Sequence, residues 1–560
     1  MCREDDEPHQ PWLSRAYQEL RAQMKTSMPA MTGMLINKVP WLLSLRFAGN
    51  IGGQELAAAA LATTLCNVTG MSLSVGLSSA MSTLTGQARG QAKHKGEQIR
   101  NQEERKLLGD DDDNNKHRKD YQTTTMSGSS SSQQQHRDES TTPITPLIYL
   151  YRGIFIQLIF VIPVGIWWLF GIKDFLLSLG QGEELSIMTE KYLRILAPGL
   201  WAYSINWTFT AWLRAIEMAD VPAYAATVAA VLHIPFNMLF IHVFGWGYLG
   251  VGAATVMTQL VQPVYEIWYL FGTEQGRHRV LENTMAASVG RHSLSFWTEA
   301  KLAVQSMSGI LQYLSLALPG IVIISEWWAS EICIFLAGTL LPHPDLALDG
   351  MTIYQSINAA CFMLPVGCSV AGSTRIGNLL GAGDTAGADM AAKVSVSSAA
   401  LLSICMGSIL YLTPHTLFPS FFTPDEAVVR EASQLIPLLS IYVVGDGITS
   451  AFNGVIRGCG RQCTIMPIVI IAYWIIGVPM AYYFAFIRHD GIMCEDNSIT
   501  TCGITGLVSG LTIGTWTHML LLATVVMFTT NWDTEVRKAK ERLDTDDEKV
   551  LPGQRQIQRR

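Results

Sequence analysis

Three carboxylates stand where a carboxylate is costly. Glu326 and Glu331 occur in Ser325-Glu-Trp-Trp-Ala-Ser-Glu, and Asp446 in Tyr442-Val-Val-Gly-Asp-Gly-Ile-Thr, each inside a long apolar stretch. In hydrocarbon an acid group must be paired, hydrated or protonated, which makes each a functional candidate. A carboxyl withdrawn from water resists ionisation, so it can hold a proton in one conformation and yield it in another. Mutually exclusive occupancy by a proton and a cationic substrate is enough for one to be exchanged for the other. Glu326 and Glu331 are five positions apart, about 140° around a straight helix, so they are predicted to face different ways. Glu326 is the favoured coupling group; Glu331 is a second one or a hydrogen-bonding partner of a neighbouring helix. Asp446 and Asn453 share a face and predict a polar stripe. Trp327, with Trp201, Trp207, Trp212 and Trp328, offers rings for a flat organic cation, and the 23 methionines offer adaptable walls. Lipid-facing packing is the alternative for each ring.

The elements that must position these groups follow from composition. The chain of 560 residues is 49% hydrophobic and only 15% charged, with a mean hydropathy of +0.24, against about 25% charged residues in soluble domains. It reads as an all-α membrane protein. Scanning for runs of roughly 20 apolar residues predicts twelve transmembrane helices: Met28 to Ala48, Leu56 to Leu84, Ile148 to Gly171, Leu193 to Trp212, Val221 to Phe244 and Val251 to Phe271, then Leu314 to Leu341, Ile353 to Val370, Val394 to Leu412, Leu435 to Val455, Ile465 to Phe486 and Ile504 to Phe528. Alternate loops carry Arg89, Lys93, Lys95, Arg277, Arg279, Arg291, Lys301, Arg375, Lys393, Arg457 and Arg461, whereas the others are nearly free of basic residues. By the positive-inside rule both termini are predicted to be cytoplasmic. The acidic start Met1-Cys-Arg-Glu-Asp-Asp-Glu lacks the pattern of a secretory signal.

An internal repeat divides the chain. Gly76-Leu-Ser-Ser-Ala-Met-Ser-Thr-Leu-Thr-Gly-Gln-Ala-Arg-Gly resembles Gly367-Cys-Ser-Val-Ala-Gly-Ser-Thr-Arg-Ile-Gly-Asn-Leu-Leu-Gly, Leu213-Arg-Ala resembles Ile456-Arg-Gly, and Ile234-Pro235 resembles Val478-Pro479. The order is the same in both halves, and the extra length between the first two matches in the first half is close to that of a polar stretch. That stretch, about 91–143, contains Asp110-Asp-Asp-Asp-Asn-Asn and Ser127-Gly-Ser-Ser-Ser-Ser-Gln-Gln-Gln and reads as a disordered cytoplasmic insertion. The predicted organisation is a cytoplasmic segment 1–27, a six-helix bundle 28–271 carrying the insertion, a cytoplasmic linker 272–313, a second six-helix bundle 314–528 and a charged tail 529–560. Two pseudo-symmetric bundles can rock about a central cavity. At the positions that the repeat pairs with the three acids, the first half offers neutral residues, near Leu35 and between Tyr203 and Trp207, so the coupling chemistry is expected to be asymmetric.

Other signals narrow the class. No Gly-x-x-x-x-Gly-Lys-[Ser/Thr], no His-Glu-x-x-His and no Cys/His cluster with metal-ligand spacing occurs, so neither an enzyme, a cofactor nor a metal is expected. The net charge of -7 without a basic stripe excludes a nucleic-acid partner. Most of the ten cysteines lie in apolar runs and read as buried hydrophobes, but Cys494 and Cys502, in a non-cytoplasmic loop, are candidates for a bridge. His233 is expected to be hydrogen-bonded packing. Arg89, Arg214, Arg375 and Arg457 are expected to snorkel to the cytoplasmic interface.

Several segments together resemble the multidrug and toxic compound extrusion (MATE) family of transporters, in its eukaryotic form, over most of the chain. They are Asn67-Val-Thr-Gly, Leu316-Ala-Leu-Pro-Gly with Glu326-Trp-Trp, Pro365-Val-Gly-Cys-Ser-Val-Ala-Gly-Ser-Thr-Arg-Ile-Gly-Asn, Gly381-Ala-Gly and Ile456-Arg-Gly-Cys-Gly-Arg-Gln. The resemblance implies a secondary antiporter exporting organic cations, drugs or secondary metabolites, usually against protons and in some bacteria against Na+. It matches Glu326 to the family's acid on the seventh helix and Asp446 to that on the tenth. Ser44 stands where many bacterial members have an Asp, and Ser356, beside Asn358, where some animal members have a Glu. Asn358, Asn453 and Trp327 are the expected substrate contacts. The plasma membrane and the vacuolar membrane are the expected locations. A flippase for a lipid-linked molecule is the alternative, followed by a membrane receptor or scaffold.

Overall fold

The computed structural model describes residues 12–49, 51, 53–107, 146–284, 296–489 and 501–557. The described residues form helices and no strands. Twelve helices span the molecule in order: α1 (Trp12–Ile36, then Lys38–Gly49 after a break at Asn37), α2 (Gly53–Cys66, Asn67–Met71 and Ser72–Leu107), α3 (Pro146–Phe170), α4 (Glu183–Ala215), α5 (Asp220–Asn237 and Met238–Val243) and α6 (Tyr248–Ile267 and Trp268–Gly272). The second set is α7 (Met307–Leu340), α8 (Pro344–Ala382), α9 (Thr385–Leu412), α10 (Ile436–Cys459), α11 (Gln462–Val469 through Tyr483–Ile487) and α12 (Gly503–Thr529), and a final helix, α13 (Trp532–Ile557), follows. By length and apolar composition alone, nine of these helices qualify as membrane spans; the exceptions are α1, α4 and α6, all in the first half.

Prolines shape the spans. The π-helical turns at Met238–Val243, Trp268–Gly272, Ile470–Gly477 and Tyr483–Ile487 each begin within a few residues of Pro235, Pro263, Pro467 or Pro479. A proline removes one backbone donor, and the ladder widens to re-pair its carbonyls. Helix starts are set by side-chain caps: Ser306 Oγ accepts from Gly309 N at 3.2 Å for α7, and Asp384 Oδ1 accepts from Gly387 N at 2.8 Å for α9.

The two halves form two lobes, α1–α6 and α7–α12, and the repeat shows in how they meet. A Cβ built on Gly86 of α2 would lie 3.6 Å from the Cα of its repeat partner Gly377 on α8. Equivalent residues of a two-fold repeat touch only on its axis, so the axis passes between these helices. On either side of it, Thr374 Oγ1 donates to the Arg214 carbonyl at 3.3 Å, and Thr83, the repeat partner of Thr374, donates to the carbonyl of Arg457. The cross-lobe contacts run along α2 from Ser72, which accepts from Trp328 Nε1 at 3.3 Å, down to Gly90. The Gly53–Cys66 part of α2 packs instead on α4 and α1 of its own lobe. The lobes are thus joined on the side of the basic loops, hereafter the basic face, and splay apart toward the opposite face.

Several boundaries differ from expectation. Within the expected cytoplasmic segment 1–27, residues 12–27 are helical: α1 begins at Trp12 and reaches the other lobe, where Arg375 pairs with Glu19 at 2.8 Å and Gln23 donates to the Ala391 carbonyl at 2.9 Å. α2 continues to Leu107, past the predicted start of the insertion, because Lys93 to Lys106 retain helix-forming side chains; the remainder of the insertion, 108–143, lies outside the described residues. The linker contains helices Glu274–Asn283 and Phe296–Gln305. The tail is helix α13, whose Ala539 and Leu543 are buried and whose Arg542 donates to Gln87 in one lobe and to the Cys459 carbonyl in the other, both at 3.0 Å. Cys502 is disulfide-bonded, while Cys494 lies outside the described residues.

Candidate coupling and substrate site

Within the second lobe, Glu326 of α7 points toward α12, where its Oε2 lies 3.4 Å from Nδ1 of the fully buried His518. The contact lacks hydrogen-bond alignment, and neither atom has another partner among the described residues. Asp446 of α10 is within electrostatic range of Glu326, Tyr354, Tyr442 and Tyr473. The aromatic rings form a wall: Tyr354 meets Tyr442 edge-on at 6.3 Å, and Tyr473 meets His518 edge-on at 5.6 Å while its Oη shares a 3.0 Å hydrogen bond with Thr515. Asn358 and Asn453 are buried, and among the described residues the Oδ1 of each lacks a partner, as does the Tyr354 hydroxyl. Buried polar atoms are rarely left unpaired. Such atoms gather on α7, α8, α10 and α12, which makes this region the candidate site for a polar or charged species.

Glu331 faces elsewhere. It lies within electrostatic range of Lys38 on α1 of the other lobe, above the point where Trp328 and Ser72 join the lobes. Trp327 is 43% exposed and stands apart from the Glu326–His518 contact. Trp212 is fully buried and donates to the Pro146 carbonyl at 3.0 Å, while Trp207 stacks on Tyr203 at 5.9 Å beneath the Arg214 guanidinium. His233 is fully buried with both ring nitrogens engaged, by Ser44 at 3.0 Å and Thr258 at 2.8 Å, and Ser44 also meets Thr255 at 3.3 Å. Arg457 does not snorkel freely: its Nη2 donates to Ser369 at 3.1 Å, and Glu326 is within its electrostatic range.

At the basic face a cross-lobe ionic cluster closes the joint. Glu217, in the turn between α4 and α5, takes Arg89 at 2.8 Å from its own lobe, and Asn378 at 3.1 Å and Arg375 at 3.7 Å from the other. Burial pushes the Glu217 carboxyl up, but Arg89, Arg375 and Lys93 outweigh it and hold the group below the usual carboxylate range.

The match to known proteins agrees with this architecture. The MatE family model matches residues 29–100, 147–239 and 320–483, more than half of the chain. The chain belongs to the MatE family. Its relatives in Arabidopsis thaliana include Protein DETOXIFICATION 36, 27% identical over 96% of this chain and 91% of that protein, and Protein DETOXIFICATION 37, 26% identical over 97% and 92%. The crystal structure of the eukaryotic MATE transporter AtDTX14 superposes with a TM-score of 0.74 over 94% of this chain and all of that one, at 24% identity. This MATE protein is therefore a multi-pass membrane transporter with twelve helices in two bundles.

Among the ionisable residues of the transporter that escaped the reading of its sequence are His518 and Glu266. His518 is buried in the run Ile504 to Phe528, and Glu266 is fully buried in the run Val251 to Phe271. The rule that selected Glu326 applies equally to them. The repeat suggested neutral residues in the first lobe because its alignment tested only positions equivalent to the three acids of the second, and Glu266 lies on a helix with no counterpart among those positions.

Proposed function

We propose that this MATE transporter exports organic cations, drugs or secondary metabolites in exchange for protons by alternating access. The observation that carries the reading is the Glu326–His518 contact beside Asp446 inside the second lobe. A carboxylate there attracts a cation, and a proton on it removes that attraction, so the two compete for one charge. A neutral imidazole beside Glu326 can accept a hydrogen bond from the protonated carboxyl, which supports a proton over Na+ as the coupling ion. Asn358, Asn453 and the tyrosines supply hydrogen bonds and ring faces for a substrate, and Trp327 and Glu331 border its path from the cleft. The basic face supports cytoplasmic termini. The plasma membrane and the vacuolar membrane both suit such an orientation.

The test uses purified protein in liposomes, following ethidium movement under an imposed proton gradient and, separately, a Na+ gradient. Proton-driven exchange is expected in the wild type and its loss in Glu326→Gln, with insertion intact. Undiminished proton-driven exchange in that variant, or exchange driven by Na+ alone, would overturn the assignment.

A further inference from the structure

The first lobe contains an ionic site that the coupling chemistry above does not use. α4 and α6 run in the same direction and carry paired polar rungs: Asn206 Nδ2 donates to Gln262 Oε1 at 2.9 Å, and one turn on Thr210 Oγ1 donates to Glu266 Oε1 at 3.4 Å. Gln262 in turn donates to Asn37 at 2.9 Å, at the break in α1. One further turn along α4 stands Arg214, 8% exposed and within electrostatic range of Glu266 but not in contact with it. Glu266 Oε2, Arg214 Nε and Asn206 Oδ1 are all buried without partners among the described residues. Beside them lies a cavity of about 10 Å³, room for about one water molecule, whose lining includes Asn37, Asn206, Thr210 and Arg214, with Glu266 linked to it through Thr210. The helices that carry this network, α1, α4 and α6, are the three whose composition falls short of a membrane span.

Symmetry gives the arrangement meaning. Arg214 is the repeat partner of Arg457, and each has one carboxylate in electrostatic range, Glu266 on α6 and Glu326 on α7. The lobes have thus each paired the same arginine with an acid on a different helix. We propose that Glu266, balanced by Arg214, is a second proton-exchange site of the transporter, held in the first lobe and adding one proton to the cycle. In the exchange the carboxyl O–H bond breaks, its electron pair stays on the carboxylate, the proton leaves through the water-sized gap, and Arg214 balances the charge left behind. Arg214 also disfavours a metal cation in the same gap. Several other ionisable groups on elements packed against α6 are engaged elsewhere, His233 with Ser44 and Thr258, Asp220 with Arg279 at 2.8 Å, Glu190 with Arg194 at 3.1 Å and Lys38 near Glu331, while Glu55 stands near Tyr248 at the start of α6.

The proposal rests on proton coupling, so its test must not depend on transport. Infrared difference spectra of the purified transporter between acidic and neutral pH, with a proton count in weak buffer, report each titrating carboxyl directly. Glu266→Gln is expected to lose one carboxyl band and release one proton fewer than the wild type, whereas Glu326→Gln loses a different band. A failure of the second-lobe reading would leave the Glu266 band in place with exchange unaffected by Glu326→Gln. An unchanged band pattern and proton count in Glu266→Gln would overturn the proposal. Should that variant misfold, Thr210→Val, which removes the hydrogen bond to the carboxyl, is expected to move the pH midpoint of one band, and an unmoved midpoint would equally refute it.

Discussion

Glu217 offers a sharp perturbation because its backbone and its side chain act on different equilibria. The residue closes α4 at φ 62°, in the left-handed region; the structurally equivalent end of α10 uses Gly460 at φ 73°. A non-glycine residue there costs roughly 1–2 kcal/mol, so the first lobe tolerates strain where its twin has none. What it holds in return is a carboxylate clamped between lobes. In Glu217→Gly the strain vanishes in every conformation, and so does the partly exposed Arg89 pair, worth roughly 1–2 kcal/mol. Fold stability should therefore change little. The contacts from Asn378 and Arg375 exist only when the basic face is closed, and a charged hydrogen bond at 3.1 Å plus an ion pair at 3.7 Å contribute about 2 kcal/mol. The odds of closure should fall about 30-fold.

Spin labels at the exposed positions His94 and Lys393, after replacement of the exposed cysteines Cys405 and Cys463, report that equilibrium as a distance distribution across the basic face. Glu217→Gly should broaden it toward longer distances while the melting temperature stays within a few degrees. Glu217→Gln, which keeps an acceptor for Asn378 and the strained turn, should fall between. A wild-type distance distribution in Glu217→Gly would refute the clamp, and a large loss of fold stability would refute the separation of the two effects.

The clamp also fixes a pH response. Because the folded Glu217 carboxyl is held below its ordinary value, its contribution to closure is complete above about pH 4.3 and is lost only as pH falls through the lowered value; the same label pair should show constant closure from neutral to mildly acidic pH and opening below. Gly90→Ala would drive a Cβ into the Asn378 carbonyl, a clash of about 1–3 kcal/mol that exists only in the closed state, so it should favour the open basic face without unfolding either lobe. Arg542→Ala removes donors to both lobes and should speed hydrogen exchange in the Trp532–Leu543 part of α13 by about tenfold, as measured by mass spectrometry.

How much was legible in the sequence depended on whether the signal was periodic, repeated or relational. Nine of the twelve spans are apolar enough by composition to cross a bilayer and the other three are more polar, and the central axis was already present in the match between the segments at Gly76 and Gly367, although nothing in their spelling said that Gly86 would touch Gly377. Glu326 and Asp446 were visible because a charge in an apolar run is conspicuous. Their partner His518 was not weighed, since a lone histidine in a hydrophobic helix carries no sign of what faces it. The helical ends at Trp12 and in α13 were hidden for the opposite reason: polar helices outside a bilayer show no apolar run, and what orders these two is contact with other lobes, Glu19 with Arg375 and Arg542 with Gln87.

The deeper lesson lies in where the duplicated halves have parted. Their backbones kept the crossing threonines, the axial glycines and the paired arginines, which are constraints on how two lobes close. They diverged at Gly460 against Glu217 and in the helix that supplies an acid to each arginine, which are constraints on what closing senses. A symmetric hinge with unlike lobes can bind charge on one side and register it on the other. On that view, above the acidic range in which Glu217 itself takes up a proton, Glu217→Gly and Glu266→Gln should move different quantities, the first the closed fraction throughout that range, the second its dependence on protons. A single variant that changed both would place the clamp and the acid in one network and remove the distinction between hinge and sensor.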